Sequence, residues 1–323
     1  MIDFKINGVA VSVESGTTIL EAAKKAGVHI PSLCNLDLHN ISSAYTCGMC
    51  AVDIEGHEDL IFACNTTVLP GMDVSTCTKR AIDARRASVE RILSNHPQDC
   101  LACARNLTCE LQSLTTEMGV REAKASDQRE KFEKDTSSNS IVRDPGKCIQ
   151  CNRCEVICRD VQTVGTFCKI PSGDKTIIST ASNKPLCETE CTYCGQCVAV
   201  CPTGALVEMD DTAKVWDALH DPEKFVVVQT APAIRVSLGE AFGMPPGSCV
   251  TGQMTTALRY LGFDKVLDTA FGADMTVIEE SAEFLHRLEH GGTLPIITSC
   301  CPAWVKFAEH QYPDSLDMLS SCK

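Results

Sequence analysis

Apolar and polar residues alternate at the start of the chain, with Ile2, Phe4 and Ile6, then Val9, Val11 and Val13, separated by Asn7-Gly8. A period of two is that of a half-buried strand, and Asn-Gly between two such runs predicts a hairpin. Thr18 with Glu21 three residues later predicts the capped start of a helix, and Gly27 its left-handed stop. Ala51–Ile54 and Leu60–Ala63 read as further strands. The spacing of Ile82, Val89, Ile92 and Leu93 predicts an amphipathic helix over 81–95. Leu107, Leu111, Leu114 and Met118 predict a second, stopped by Gly119. Residues 122–139 are charged and serine-rich and read as an exposed connection. Further on, Phe225–Gln229, Lys265–Asp268 and Leu294–Thr298 read as buried strands, with helices at Met254–Leu261 and Val277–Leu288 between them. Strand and helix in alternation predict an α/β segment with a parallel sheet, which binds ligands at the carboxyl ends of its strands.

Composition adds one outlier to this pattern. The chain has 323 residues, 44% of them hydrophobic and 22% charged, enough to bury real cores, and it has 22 cysteines. The net charge of −13 argues against nucleic acid as a partner, since phosphate binding needs an excess of clustered Lys and Arg. No apolar run is long enough to span a bilayer, and the N-terminus has neither a basic segment nor an apolar one of the secretory kind. A cytoplasmic placement follows as an expectation, and in a reducing compartment closely spaced thiols point to metal rather than disulfides.

The cysteine spacings indicate which metal. Cys148-x2-Cys151-x2-Cys154-x3-Cys158 and Cys191-x2-Cys194-x2-Cys197-x3-Cys201-Pro202 form an internal repeat with the bacterial ferredoxin run, in which the fourth thiolate of each tetrad ligates the other cluster. Cys148, Cys151, Cys154 and Cys201 are therefore assigned to one [4Fe–4S] cluster, and Cys191, Cys194, Cys197 and Cys158 to a second. Upstream, Cys34, Cys47, Cys50 and Cys64 lie on a β-grasp-like frame and suit a [2Fe–2S] cluster, although the first gap is longer than the plant-type spacing. His96, Cys100, Cys103 and Cys109 offer one imidazole and three thiolates for a further [4Fe–4S] cluster. Zinc is the alternative throughout; it is weak for the tetrads and open for the His96 set on spacing alone. Cys77, Cys168, Cys187 and Cys249 read as ordinary reduced cysteines, with Cys187 close enough to the second tetrad to compete as a ligand.

This order of modules, followed by QTAPAIR at 229–235, SCVTGQMTTAL at 248–258 and TSCCPAW at 298–304, resembles a multi-cluster [FeFe]-hydrogenase over essentially the whole chain. The first three modules also resemble the large electron-transfer subunit of respiratory complex I and NAD-linked formate dehydrogenases, which lack the last motif. The resemblance implies reversible formation of H2 from protons and electrons, with electrons supplied by ferredoxin or an NAD(P)H-oxidising flavoprotein subunit. It further implies that Cys301 holds the catalytic cluster and that Cys300 passes protons to it. Glu280, Ser320, Glu283 and Arg287 would continue the proton route, and Ala231 and Pro232 would line the di-iron pocket, with Ala233 where some relatives place a serine.

The family's other three ligands to the catalytic cluster lie beyond Lys323, so the sequence is expected to be part of a longer enzyme. An electron-transfer protein without hydrogen chemistry is the competing reading. The expected architecture is α+β and multi-domain: a β-grasp [2Fe–2S] domain at 1–80, a helical His/Cys3 cluster domain at 81–125, a charged connection at 126–140, a two-cluster ferredoxin-like domain at 141–210 and the start of an α/β parallel-sheet hydrogenase domain at 211–323.

Overall fold

In the computed structural model the opening hairpin forms in the register its alternation dictates: β1 (Ile2–Ile6) pairs antiparallel with β2 (Val9–Val13), Ile2 opposite Val13 and Ile6 opposite Val9. The structure describes residues 1–36, 38, 46–122, 132–172 and 175–322, which divide into two compact units, Met1–Met209 and Asp210–Lys323. Helix α1 (Ile19–Lys25) follows the hairpin. Its start carries the expected capping box, in which Thr18 Oγ1 accepts from Glu21 N–H and Glu21 accepts from Thr18 N–H. Gly27, at φ +70°, ends it.

β3 (Ala51–Ile54), β4 (Ile61–Phe62) and β5 (Asp73–Ser75) complete a sheet of order β2-β1-β5-β3-β4, parallel only between β1 and β5. Strand β5 has no counterpart in the sequence reading, because three residues show too little alternation to register. The sheet and α1 share a core in which Ile6, Ile19, Val52 and Val74 are fully buried, each contributing roughly 2 kcal/mol by removal from water.

Helix α2 (Lys79–Asn95) and helix α3 (Glu110–Glu117) form the next layer. Leu107, expected on the second helix, lies outside it at φ +67° with its side chain exposed. Chain closure toward Cys109 at the helix N-cap, not amphipathic packing, decides its position. Arg85 of α2 ties the two layers together. It is buried, and its Nε and Nη2 donate to the carbonyl of Ala51 in β3 at 3.1 and 2.6 Å. Gly48 permits this approach, since a Cβ there would lie 2.7 Å from Ser88 Oγ of α2.

β6 (Ile141–Arg143) opens the tetrad-bearing segment, followed by α4 (Arg153–Val156), β7 (Phe167–Ser172), β8 (Lys175–Thr180), α5 (Gln196–Val200) and β9 (Leu206–Glu208). β6 pairs antiparallel with β9, and β7 with β8. Of the expected connection at 126–140, residues 126–131 lie outside the described residues. The rest is not simply exposed: Asp135 bridges Arg143, and Ser138 is buried with its hydroxyl accepting from Ser140 and Ile141 N–H.

In Asp210–Lys323 the chain builds α6 (Thr212–His220), β10 (Val227–Thr230), α7 (Ile234–Ala241), α8 (Thr251–Leu261), β11 (Lys265–Asp268), α9 (Thr269–His290) and α10 (Pro302–Gln311). β10 and β11 pair in parallel, as expected for α/β. The strand expected at Leu294–Thr298 does not form. Pro295 lacks an N–H, and only Ile297 makes a bridge, parallel to Leu319. Large apolar side chains in this unit stand exposed, including Phe242, Tyr260 and Phe271. Among the described residues no helix is long and apolar enough to cross a membrane.

Arg85→Met keeps the apolar stem and removes the guanidinium. It is expected to cost about 2 kcal/mol, the worth of a buried charge-assisted hydrogen bond. In the cluster-loaded protein this appears as a lower urea midpoint at unchanged slope. An unmoved midpoint would show that the strut between the two layers contributes nothing.

Candidate iron–sulfur and proton-transfer sites

Four thiols gather at one edge of the first sheet. Cys34 follows α1, Cys47 and Cys50 lie in the turn before β3, Cys64 follows β4, and all four are buried. Cys34 Sγ donates to Cys47 Sγ at 3.4 Å, and the N–H groups of Leu33 and Met49 donate to Cys47 Sγ at 3.5 Å each. The hydrogen bonds from Cys47 and Cys64 hold the Cys34 thiol well below its ordinary value, and Cys64 does the same for Cys50. Cys47 and Cys64, as donors in these pairs, are pushed up correspondingly. Such sharing of protons places thiol sulfurs close enough to be bridged by a small cluster in place of the protons.

His96 caps the C-terminus of α2, Cys100 opens a short 3-10 turn that Cys103 ends, and Cys109 is the N-cap of α3. The four side chains line one cavity of about 280 Å³, with Arg105, Lys147 and Gly204 among its other walls. A Cβ on Gly204 would lie 2.6 Å from Cys103 Sγ, so only glycine lets the segment after Pro202 approach this set. Cys109 Sγ donates to Pro202 O at 3.5 Å, Glu110 N–H to the same carbonyl at 3.0 Å, and Arg105 Nη2 to Val198 O and Cys201 O at 3.0 and 3.1 Å. Glu110 also receives a bidentate pair from Arg153, at 2.7 and 2.9 Å, joining α3 to the first tetrad.

The two tetrads sort their cysteines as the ferredoxin spacing implies. One cavity, of about 460 Å³, is lined by Cys148, Cys151, Cys154 and Cys201. A second, of about 300 Å³, is lined by Cys158, Cys191, Cys194 and Cys197. Burial pushes the Cys151 and Cys197 thiols up to about 12, and raises Cys148 and Cys154 as well. A thiol in such surroundings stays neutral unless a cation replaces its proton. Backbone N–H groups already point at the sulfurs: Gln150 to Cys148, Tyr193 to Cys191 and Thr166 to Cys158, at 3.3–3.4 Å. Cys187 is exposed, and the lining of the second cavity is made by the other four cysteines. Among the described residues no three His, Cys, Asp or Glu side chains close on a point as the ligands of a single ion would. Thiols spread around a cavity suit a multi-iron cluster better than zinc.

In Asp210–Lys323 the expected proton-route residues form a hydrogen-bonded line. Ser320 Oγ donates to Glu280 Oε1 at 2.6 Å and lies 3.0 Å from Ser299 Oγ, and both serines are buried. Ser299 is the sequence neighbour of Cys300. Cys300 Sγ accepts from Thr298 Oγ1 at 3.8 Å and is exposed, as is Cys301, the N-cap of α10. Glu283 meets Ser321 rather than Ser320, accepting from its N–H at 3.0 Å and its hydroxyl at 2.9 Å. The Ser321 N–H, opposed by slight desolvation and joined by Arg287, holds the Glu283 carboxyl below the usual range. Arg287 Nη2 pairs with Glu283 at 2.6 Å and also donates to Leu319 O at 2.8 Å, and Nη1 donates to Thr293 O at 2.9 Å. Ala231 and Pro232 lie exposed in the turn between β10 and α7, where Pro232 O accepts from Arg235 Nε at 3.1 Å. Sequence reasoning missed Ser299 and Ser321. The only signal was their adjacency to Cys300 and Ser320, which spacing alone does not weigh.

Residues 224–323 match the family described as iron only hydrogenase large subunit, C-terminal domain. Residues 1–79 match a 2Fe-2S iron-sulfur cluster binding domain, 85–124 the NADH-ubiquinone oxidoreductase-G iron-sulfur binding region, and 188–207 a 4Fe-4S binding domain. The chain is 49% identical to the NADP-reducing hydrogenase subunit HndD of Solidesulfovibrio fructosivorans, over all of this chain and 57% of that protein. It is 39% identical to iron hydrogenase 1 of Clostridium pasteurianum, over 98% of this chain and 55% of that one. The chain thus spans a little over half the length of these curated relatives. Among solved structures, an NAD+-reducing [NiFe]-hydrogenase in its H2-reduced state shares the fold over 64% of this chain and 87% of its own, at TM-score 0.58 and 24% identity. With iron–sulfur binding domains ahead of a hydrogenase large-subunit segment, the chain belongs to the iron-only hydrogenase family.

Proposed function

We propose that this chain carries the electron relay and the first part of the catalytic domain of an [FeFe]-hydrogenase that interconverts 2H⁺ + 2e⁻ and H2. The observation that carries this reading is the line Glu280–Ser320–Ser299 leading to the Cys300 segment, which a purely electron-transferring protein does not need. The modules are those expected from the sequence, with boundaries at 80, 125, 140 and 210. We assign the [2Fe–2S] site to Cys34, Cys47, Cys50 and Cys64, and the [4Fe–4S] sites to His96 with Cys100, Cys103 and Cys109 and to the two tetrad-derived sets.

Such clusters, when bound, take up and release single electrons. The protein's own part is to hold the thiolates, exclude water and keep successive sites close. The segment Cys201–Gly204 is the junction between the His96 set and the first tetrad, because it contacts Cys103 and Cys109 on one side and supplies Cys201 on the other. Electrons would arrive from ferredoxin or an NAD(P)H-oxidising flavoprotein subunit in the cytoplasm. The chain itself carries no nucleotide fingerprint of the glycine-rich kind.

On the proton side, Ser320 orients Glu280, and Arg287 fixes Glu283 in its ionised form beside Ser321. Cys301 is assigned to the catalytic cluster, and Cys300 to proton exchange with it. A complete ligand set for that cluster does not gather beside Cys301 among the described residues. No step through it is derived. That same observation is what favours the second reading, an iron–sulfur electron-transfer subunit without hydrogen chemistry.

Anaerobic reconstitution of the chain should yield about fourteen irons, together with reduced [2Fe–2S] and [4Fe–4S] signals in electron paramagnetic resonance. Zinc in place of iron, at about one ion per ligand set, would sink the assignment. In a hydrogenase whose catalytic domain is complete, Ser320→Ala should lower H2 turnover on the order of a hundredfold, a typical loss for an interrupted proton transfer. The iron–sulfur signals should stay unchanged. Turnover at the parental rate would remove the serine from the proton route.

A further inference from the structure

The two tetrads repeat each other in backbone conformation. Gln150 and Asn152 in the first have φ of 57° and 62°, and Tyr193 and Gly195 in the second have 57° and 76°. At the second of these positions the chemistry differs. Gly195 offers no side chain, whereas Asn152 is only 2% exposed, lines the cavity of the Cys148 set, and has no hydrogen-bond partner at Nδ2. The cavity of the Cys191 set has an orphan of its own. Thr166 is 7% exposed and lines that cavity, its N–H donates to Cys158 Sγ at 3.3 Å, and its hydroxyl has no partner. By contrast Thr203, beside the first cavity, gives its hydroxyl to Lys147 O at 2.9 Å.

A buried donor with nothing to donate to is destabilising, and proteins rarely keep one. Both orphans face cavities walled by four thiols, so the missing acceptor is one the protein does not supply. Sulfur of an iron–sulfur cluster is such an acceptor, and hydrogen bonds to cluster sulfur help to set its reduction potential.

We propose that Asn152 Nδ2–H and Thr166 Oγ–H each donate to sulfur of the adjacent cubane, one donor per cluster, and thereby set the two potentials independently. Reduction adds one electron to the cluster, and no covalent bond forms or breaks. The added negative charge strengthens the hydrogen bond, so each donor stabilises the reduced state and its loss lowers the potential. The inference rests on the iron–sulfur assignment of the tetrads.

The test is a potentiometric titration of the reduced [4Fe–4S] signals in the reconstituted full chain. Asn152→Gly gives the first tetrad the glycine of its repeat partner, which suits the left-handed backbone. Thr166→Val keeps the shape without the hydroxyl. Each should shift one [4Fe–4S] component, and a different one, to lower potential by about three- to tenfold in the reduced-to-oxidised ratio, tenfold being about 59 mV for one electron. Thr166→Ser should keep the parental value. If Asn152→Gly loses iron, Asn152→Asp carries the same test with the donor replaced by an acceptor, and loss of iron in both would overturn the proposal for that cluster. Unmoved potentials at parental iron content overturn it outright. A parent chain without [4Fe–4S] signals fails the underlying assignment instead, so the two failures are distinguishable.

Discussion

Burying thiolates is the constraint on which Met1–Met209 depends. A thiolate in an apolar cavity is costly unless a cation compensates it, and burial raises Cys148, Cys151, Cys154 and Cys197 accordingly. Without metal, these cavities are lined by neutral thiols with nothing between them. With metal, the same side chains become the strongest tie between distant parts of the chain. Cys158 and Cys201 each cross to the cavity of the other tetrad, so the two clusters interlock α4 and α5 in a way that apolar packing alone would not specify. Cluster binding and folding are therefore one equilibrium in this unit.

The same economy shapes the junction around Pro202. One short stretch supplies Cys201 to the first tetrad, accepts hydrogen bonds from Cys109 and Glu110 on Pro202 O, and makes room for Cys103 at Gly204. The bidentate Arg153–Glu110 pair fixes the orientation of α3 against this stretch, with Arg153 itself largely buried. A long ion pair on the surface would be worth little, but a buried planar guanidinium leaves few alternative arrangements. Electron transfer between neighbouring sites needs fixed separation, and here the fixing is done by main-chain carbonyls and one glycine.

Much of this was legible in the sequence because thiol spacing reports ligand sets directly. The crossing of Cys158 and Cys201 followed from the ferredoxin run, and the hairpin, the capping box at Thr18 and Glu21 and strand β11 followed from local rules. What failed were elements decided by long-range pairing. β5 exists because it lies between β1 and β3, and the hairpin β7–β8 because it fills the space between the tetrads. Leu107 has helical spacing yet is held outside the helix by its left-handed backbone. Leu294–Thr298 has the composition of a strand but finds only Leu319 to pair with. Asn152, Thr166 and Ser299 were invisible for another reason. Single polar residues carry no pattern, and only burial reveals that one has been left without a partner.

Ser299 shows how such a residue adds to a relay. Its hydroxyl has one hydrogen and three acceptors within reach: Ser320 O at 2.7 Å, Cys322 O at 2.8 Å and Ser320 Oγ at 3.0 Å. Because Ser320 gives its own hydrogen to Glu280, its oxygen is left to accept, and the direction of the line is set from the carboxylate end. A carbonyl-bound Ser299 leaves the line open, whereas rotation of that one hydroxyl toward Ser320 Oγ closes it from the Cys300 segment to Glu280. Hydroxyl rotation needs no backbone movement, so the route can be held closed or open without disturbing α9 or α10, and a proton arriving at Glu280 reverses the polarity of every bond in it.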